Sequence, residues 1–372
     1  MIVLLALSMG CTFYFGDTAC DSATIRVDAD SLTRSSTSDW TSPAVGDRFV
    51  CAVEAPAPGF PATAASMTAV ACFGEPPATP DELQAFTRDI TQLRAGGGLL
   101  CALAPEDAVG NPLALRCWGP EADIINEGIA ADIRDHDMAI EDVQVAAGRV
   151  CVRADAGRSD FIQVRCYGAT ATGRDPVPAD VLSYTDVRVT ETMGCSRHDG
   201  AAGTPEFSCW GDLDPTVGET LASIPPDACW STFDVTDGLL CANTGPGCSS
   251  LPPVGCWGDA NHPAVLGLDA VTSRLESRST AGGGLPLGVE LGVDFGCALY
   301  GTEPADGGDS LVCFGAAGPS IADAPAGAGV ADLAVSPGGG LACAIETDGL
   351  PSEPGAAPVG TLVCWGDTLE LP

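Results

Sequence analysis

Short runs in which apolar and polar residues alternate dominate the chain, and Gly, Pro or Asp separates one run from the next. Runs such as Asp142–Val145, Asp186–Val189 and Asp332–Val335 have the spacing of half-buried strands. Helical spacing of apolar residues is nearly absent. One ambiguous segment, Leu83–Leu93, has this spacing, but its end aligns with the strands of the other runs. We therefore predict a loop and then a strand there, in an all-β protein.

The tripeptide Cys-aromatic-Gly recurs seven times, and an earlier Cys precedes each copy by 14 to 21 residues. The copies are Cys72-Phe73-Gly74, Cys117-Trp118-Gly119, Cys166-Tyr167-Gly168, Cys209-Trp210-Gly211, Cys256-Trp257-Gly258, Cys313-Phe314-Gly315 and Cys364-Trp365-Gly366. On a strand, this Cys and the apolar residue two positions before it share one face, whereas the aromatic residue lies on the other face. Both faces are therefore apolar and must be covered. Repeats of 44 to 56 residues with this property predict a seven-bladed β-propeller with one Cys pair per blade, and a linear solenoid is the alternative.

Closure of such a ring requires a further strand, because the seventh repeat stops soon after Gly366. We expect residues 23–28, or Pro43–Val50, to join the last blade. The predicted organisation is a signal peptide or lipoprotein-type leader over 1–20, a linker with a ring-closing strand over 21–45, and the seven-repeat propeller over 46–372.

The amino terminus resembles the end of a bacterial lipoprotein signal peptide, because the apolar residues 1–9 lead into Gly10-Cys11. This resemblance implies that Cys11 is lipidated, and the alternative is a disulfide between Cys11 and Cys20 in a secreted protein. Either way we expect an extracytoplasmic protein, as an outer membrane lipoprotein or a secreted one. No later run reaches the roughly 18 apolar residues of a transmembrane helix.

Fourteen of the 18 cysteines belong to the repeated pairs, and in an exported chain such pairs on neighbouring strands predict disulfides within the blades. The expected disulfides are Cys51–Cys72, Cys101–Cys117, Cys151–Cys166, Cys195–Cys209, Cys241–Cys256, Cys297–Cys313 and Cys343–Cys364. A further bridge between Cys229 and Cys248 is plausible because both flank Cys241. The chain has no short Cys-x-x-Cys pair of the kind that zinc sites and redox sites use.

The formal net charge of −34 excludes most nucleic-acid binders, because such a chain repels phosphate backbones. Excess carboxylates keep a protein dispersed, and on one rim they would steer a basic partner. Three histidines (His136, His198 and His262) are too few for an obvious catalytic or metal centre. The run Ser196-Arg197-His198-Asp199 cannot form a triad, because consecutive strand residues project in different directions. We predict no catalytic residue, no cofactor and no metal site; Asp28, Asp30, Glu346 and Asp348 lack the spacing of a calcium loop.

Three repeats also carry Cys-Ala-Leu or Cys-Ala-Ile at the earlier Cys, namely Cys101-Ala102-Leu103, Cys297-Ala298-Leu299 and Cys343-Ala344-Ile345. Together with the seven Cys-aromatic-Gly copies, these residues resemble the regulator of chromosome condensation (RCC-type) repeat family over about residues 40 to 372. The chain would be a divergent, exported bacterial member, because every Gly-Gln-Leu-Gly terminus of the family pattern is missing. The resemblance implies a seven-bladed propeller used as a protein-binding platform, similar in architecture to β-lactamase inhibitor protein II.

Two functions follow from these observations. The first is a non-enzymatic, surface-tethered, monomeric scaffold that binds a protein partner, but no nucleic acid, through loops on one face of the ring. Its membrane contact would be a lipid anchor only. The alternative is a carbohydrate-active hydrolase or lyase, which needs carboxylates from different blades to converge at the central channel, with aromatic residues beside them.

Overall fold

A computed structural model describes the repeated core of the 372-residue chain. The described residues are 5–6, 12–13, 25–27, 40–54, 70–79, 82–83, 90–104, 114–136, 138–155, 162–168, 184–199, 205–212, 218–220, 222–225, 229–245, 252–268, 286–300, 310–316, 329–337, 340–347 and 360–366. Cys11, Cys20, Cys248, Asp28 and Asp30 lie outside these ranges, and so does Asp348.

The protein is a seven-bladed all-β propeller, as the repeats predict. Each blade is an antiparallel sheet of three consecutive strands, which we call inner, middle and outer in chain order. Blade by blade, the strands are Trp40–Val45, Phe49–Glu54 and Val70–Gly74; Gln92–Gly96, Leu99–Ala104 and Ala114–Trp118; Ala139–Ala146, Arg149–Asp155 and Ile162–Gly168; Tyr184–Val189, Met193–Asp199 and Pro205–Gly211; Trp230–Thr236, Leu239–Thr244 and Val254–Gly258; Pro286–Leu291, Phe295–Tyr300 and Leu311–Gly315; and Val330–Val335, Leu341–Glu346 and Thr361–Gly366. A separate pair of two-residue strands, Leu5–Ala6 and Thr12–Phe13, lies in the expected leader.

The ring closes between blade 7 and blade 1, whose inner strands contact each other. The short strand Ile25–Val27 pairs antiparallel with the outer strand of blade 7, and this is one of the two segments that we expected to complete that blade. The other, Pro43–Val50, belongs to blade 1 itself. The inner strand Trp40–Val45 thus lies in the segment 21–45 that we assigned to a linker and ring-closing strand.

Seven disulfides join the middle and outer strands, one in each blade, and each links the two cysteines that the sequence pairs. The two cysteines of every disulfide are direct cross-strand partners, with Cα atoms 4.0 to 4.1 Å apart. Cys229 is disulfide-bonded too, whereas its expected partner Cys248 is outside the described residues. The middle and outer strands are therefore covalently tied in register.

The core is a set of seven clusters between neighbouring blades. In blade 2, Cys101 and Cys117 share a buried cluster with Tyr167, the tripeptide aromatic residue of blade 3. The same relationship holds around the ring, and it closes where Cys343 and Cys364 of blade 7 share a cluster with Phe73 of blade 1. The two apolar faces predicted from the tripeptide are thus a disulfide face and an aromatic face, and each covers the other.

The glycine of the tripeptide has a positive φ in all seven blades, from 87° at Gly74 to 144° at Gly168. At Gly168 a Cβ atom would lie 2.0 Å from the carbonyl oxygen of Gly148, in the turn between the first two strands. A side chain is therefore excluded both by backbone conformation and by space. This explains why the third residue of the tripeptide is always glycine.

One helix, Ala122–His136, was missed by the strand interpretation of the sequence. It follows the outer strand of blade 2, and Asn126 pairs with the backbone of Cys117: its Oδ1 accepts from the amide nitrogen (2.9 Å) and its Nδ2 donates to the carbonyl oxygen (2.8 Å). Asp132 binds Tyr167 Oη at 2.9 Å and Arg165 Nη1 at 2.8 Å in blade 3. The helix thus connects the outer edges of two blades. Among the described residues, no helix is long and apolar enough to cross a membrane.

The segment Leu83–Leu93 is described only in part. The inner strand of blade 2 begins at Gln92, near the end of this segment, as predicted. Residues 84–89 lie outside the described ranges.

Candidate functional site: the central channel and the face around it

The centre of the ring is a cavity of about 140 Å³ lined by the inner strands. In every blade, the inner-strand residue paired with the first Cys of the disulfide lines this cavity. In blade order these residues are Ala44, Arg94, Gln144, Arg188, Asp234, Glu290 and Ala334. Their neighbours in the chain point into the apolar clusters between blades, because side chains alternate along a strand. One position per repeat therefore sets the charge of the channel.

A second level of carboxylates lies two residues earlier on three inner strands, at Asp142, Asp186 and Asp332. Since a spacing of two keeps side chains on the same face of a strand, these carboxylates lie above the first level, nearer the start of the strands. The two levels together hold five carboxylates and two guanidinium groups. The channel is thus acidic.

Arg188 occupies the most crowded part of this arrangement. Its Nη1 atom lies 2.6 Å from Asp186 Oδ1 in the same strand, and its Nε atom lies 3.7 Å from Asp234 Oδ1 in blade 5. Burial alone would lower the pKa of Arg188, but the carboxylates of Asp186, Glu290 and Asp234 raise it instead. Arg188 is therefore a permanent cation that links two blades.

Asp234 and Glu290 are the channel residues of adjacent blades, and both ionise with difficulty. Burial raises the pKa of Asp234 to about 6, against the opposing effect of Arg188. Burial, followed by the nearby charge of Asp234, raises the pKa of Glu290 to about 8. Burial also raises the pKa of Asp186 and Asp332. Near neutral pH the channel consequently retains protons that exposed carboxylates would lose.

Polar side chains around the channel also bond the backbone of the next blade. Asp234 Oδ2 accepts a hydrogen bond from the amide of Leu291 at 2.6 Å. Gln92 bonds two backbone groups of blade 3, donating to the carbonyl oxygen of Glu141 (3.2 Å) and accepting from the amide of Val143 (3.2 Å). These bonds fix the position of each inner strand relative to the next.

The two ends of the channel differ. We call the end at which the inner strands begin the loop face, because the middle strands end and the outer strands start there, as at Asp155 and Ile162. The segments that join middle and outer strands range from 200–204, five residues, to 55–69, fifteen residues. Most variation in blade length therefore attaches at this face, on which Asp142, Asp186 and Asp332 also lie.

The opposite end, the turn face, carries the short turns between inner and middle strands. Small or hydroxylated residues end the inner strands here, and a Cβ atom at Gly96 would lie 2.4 Å from the carbonyl oxygen of Val145 in the next blade. Side chains also cross between blades: Ser336 Oγ donates to Asp47 Oδ1 at 3.1 Å, and Thr192 Oγ1 donates to Asp237 Oδ1 at 2.8 Å. The backbones approach closely, so the channel narrows toward this face.

The histidine and serine candidates of the sequence have structural surroundings. Ser196 Oγ donates to the carbonyl oxygen of Ser208 at 3.4 Å, and His198 Nε2 lies 3.7 Å from Glu206 Oε2. His262 Nδ1 accepts a hydrogen bond from the amide of Ala264 at 3.2 Å and so begins the 3-10 turn Pro263–Val265, and burial lowers the pKa of His262. These contacts do not assemble a triad.

The channel residues themselves were not identified from the sequence, although a signal exists. Six of the seven lie seven positions before the first Cys of their blade, and Ala334 lies nine positions before Cys343. The charged or polar ones stand between two apolar neighbours, as in Phe233-Asp234-Val235. Alignment of the repeats on this Cys would have exposed the position.

The alternative enzymatic function required carboxylates that converge at the channel with aromatic residues beside them. The carboxylates do converge, but the described residues that line the cavity include no aromatic side chain. Within the described part of the chain, no group of three or more His, Cys, Asp or Glu side chains could hold a metal ion.

Comparisons with known proteins agree with the propeller fold. No protein-family model matches the chain, and no curated protein matches it. Among solved structures, it is similar to the CRINKLY WD40 ectodomain of the Arabidopsis thaliana receptor kinase ACR4, with a TM-score of 0.56 and 17% identity, over 90% of this chain and 99% of that one. It is also similar to the entire ectodomain of the Physcomitrella patens receptor kinase CR4, with a TM-score of 0.55 and 17% identity, over 89% of this chain and 74% of that one. At this identity the likeness concerns the fold: the chain has the architecture of these extracellular propellers.

Proposed function

We propose that the protein is an exported, non-enzymatic scaffold that binds a protein partner through its loop face. The observation that carries this proposal is the contrast between the blades and their connections. Disulfides, inter-blade clusters and buried hydrogen bonds make the ring rigid, whereas most length variation attaches at one face. Binding residues are commonly carried on variable loops above a rigid scaffold. The two similar propellers are ectodomains of receptor kinases, which supports a binding role outside the cell.

Export is supported by the disulfides, because seven such bridges persist in an oxidising compartment and not in a reducing cytosol. We further propose that residues 1–20 are the leader and that lipidation of Cys11 tethers the propeller to the outer membrane. The alternatives are the Cys11–Cys20 disulfide and simple secretion. The resemblance to the RCC-type repeat family belongs to the same proposal, since propellers of that family serve as protein-binding platforms.

The carbohydrate-active alternative is supported only by the raised pKa values of Asp234 and Glu290, which suit proton donors. A saccharide site would also need aromatic surfaces for sugar rings. The small cavity and its aliphatic lining favour the scaffold.

The test of the proposed function compares the two faces of the ring. The oxidised protein is immobilised and exposed to envelope extracts of its host, and bound proteins are quantified. In one variant, residues 347–360 of the loop face are replaced by the short segment 200–204 of blade 4. In the control, Val293 on the turn face, whose side chain is exposed, is changed to Ser. The proposal predicts saturable capture of a protein that the loop variant loses and Val293→Ser retains; equal capture by both variants, or shortened polysaccharide in place of a protein, would contradict it.

A further inference from the structure

The charge of the channel is not balanced by the protein's own cations. Arg188 is held between Asp186 and Asp234. Arg94 donates to the carbonyl oxygen of Leu93 at 3.2 Å and forms no ion pair with a described residue. Two cations therefore face five carboxylates, and the imbalance lies on the side of the channel away from Arg188.

Glu290 is the carboxylate that this leaves without a partner. Its side chain lines the cavity, and among the described residues no group donates a hydrogen bond to it or forms an ion pair with it. Its surface is half-buried because it faces the cavity, yet desolvation and Asp234 raise its pKa to about 8. A carboxylate this deep in a protein is costly unless it is paired or protonated. Glu290 is thus an acceptor awaiting either a proton or a cation.

Space for a cation exists beside Glu290. The next two channel positions around the ring are Ala334 and Ala44, where blades 2 to 6 carry longer polar side chains. Leu291 and Val335 also line the cavity, so an aliphatic chain would pack against apolar walls while its charged end reaches a carboxylate. The pocket therefore combines an acidic end with an aliphatic lining.

We propose that the channel is a binding site for an organic cation, the side-chain ammonium or guanidinium group of the partner protein, which enters from the loop face and pairs with Glu290. The inference rests on the proposed function, because the partner supplies the side chain. Entry from the loop face follows from the narrowing at the turn face and from Asp332, which lies on the same side of the channel one level above Glu290. A lone unpaired carboxylate with aliphatic walls suits such a side chain better than a metal ion, which needs several converging ligands.

Calorimetric titration of the full chain with Nα-acetyl-lysine methylamide and Nα-acetyl-arginine methylamide tests this directly, with the uncharged Nα-acetyl-norleucine methylamide as the matched probe. We expect saturable binding of at least one cationic probe and none of norleucine. Glu290→Gln should weaken the binding at least tenfold, and Ala334→Leu, which fills the cavity but keeps the carboxylate, should weaken it as well. Glu127→Gln, on the exposed face of the helix, is the control and should bind as the wild type does.

The pH dependence adds a readout that misfolding would not mimic. Below the pKa of Glu290 the cation must displace a proton, so affinity should rise up to tenfold per pH unit and level off above about pH 8. Absence of saturable cation binding, or binding unchanged by Glu290→Gln, would overturn the inference. If Glu290→Gln captures the protein partner as well as the wild type does, the channel inference fails and the scaffold stands. If the probe binds but no partner is captured, the scaffold function fails instead.

Discussion

Arg188 of blade 4 lies 3.7 Å from Asp234 of blade 5, and this ion pair crosses the boundary between two blades at the centre of the ring. It extends to Asp186, 2.6 Å from the guanidinium group. Because all three side chains are largely buried, removal of the cation leaves two carboxylates close together without a counter-charge. The pair therefore belongs to the stability of the ring as much as to the charge of the channel.

Replacement of Arg188 by Met should lower the free energy of unfolding by about 3 kcal/mol, since one partner of a buried charge network is lost. The matched control is Arg48→Met, which breaks an exposed ion pair with Glu75 (3.2 Å) and should cost less than about 1 kcal/mol. Guanidinium chloride denaturation followed by tryptophan fluorescence measures both. Equal losses would show that burial does not govern the Arg188 network.

The stability of the protein should fall as pH rises toward 8, because of Glu290. Its pKa is raised from an ordinary value of 4.5 to about 8, so the folded protein holds a proton that the unfolded chain has lost. The resulting contribution is fully present below about pH 4.5 and is lost as pH rises through 8. Asp234, with a pKa of about 6, acts in the same direction at lower pH, and Arg188 and Arg94 oppose both effects.

Glu290→Gln isolates this contribution, since it has no charge to bury. Relative to the wild type, its free energy of unfolding should increase steadily from pH 5 to pH 9 in urea denaturation. A difference between the two proteins that does not change with pH would mean that Glu290 titrates normally in the folded state.

The helix Ala122–His136 should depend on Asn126. In Asn126→Ala, the amide and carbonyl groups of Cys117 lose their partners, and a loss of about 2 kcal/mol in the free energy of unfolding follows. Hydrogen exchange at Cys117 should accelerate in parallel. Glu127→Ala, one residue away on the exposed face, should change the stability by about 0.5 kcal/mol at most.

The glycine of the tripeptide gives a prediction about backbone conformation. Gly168→Ala places a Cβ atom 2.0 Å from the carbonyl oxygen of Gly148 at a φ of 144°, and we expect it to cost about 3 kcal/mol. In Gly218→Ala the new Cβ meets nothing within 4 Å, so this control should be neutral or slightly stabilising. Thermal unfolding of both variants checks the contrast. A tolerated alanine at position 168 would refute the explanation of the repeated glycine.

Features that recur in the chain were predictable, and features that occur once were not. Seven copies of Cys-aromatic-Gly predict the blades, the cross-strand disulfides and the two apolar faces, because each copy repeats the same local constraint. The helix was missed since it is an insertion in one repeat, although Ala122, Ile125, Ile129 and Ile133 have helical spacing. Its role also depends on Asn126 reaching the backbone of a strand, which no local pattern encodes.

The acidic channel required the register of the sheets. Asp234 and Glu290 are 56 residues apart in the chain, and only closure of the ring makes them neighbours around one cavity. Their raised pKa values then arise from burial and from each other, which are properties of the assembled ring. The composition indicated an excess of carboxylates but not that five of them face the centre.

Hydrogen–deuterium exchange on the complex with a captured partner tests the central claim, that the loop face is the binding surface, most directly. The account predicts protection of residues that border the loop face, such as 153–155, 162–164 and 360–362, together with the inner-strand starts near Asp332. The turns at 46–48, 237–238 and 292–294 should exchange as in the free protein. Protection confined to those turns would contradict the account.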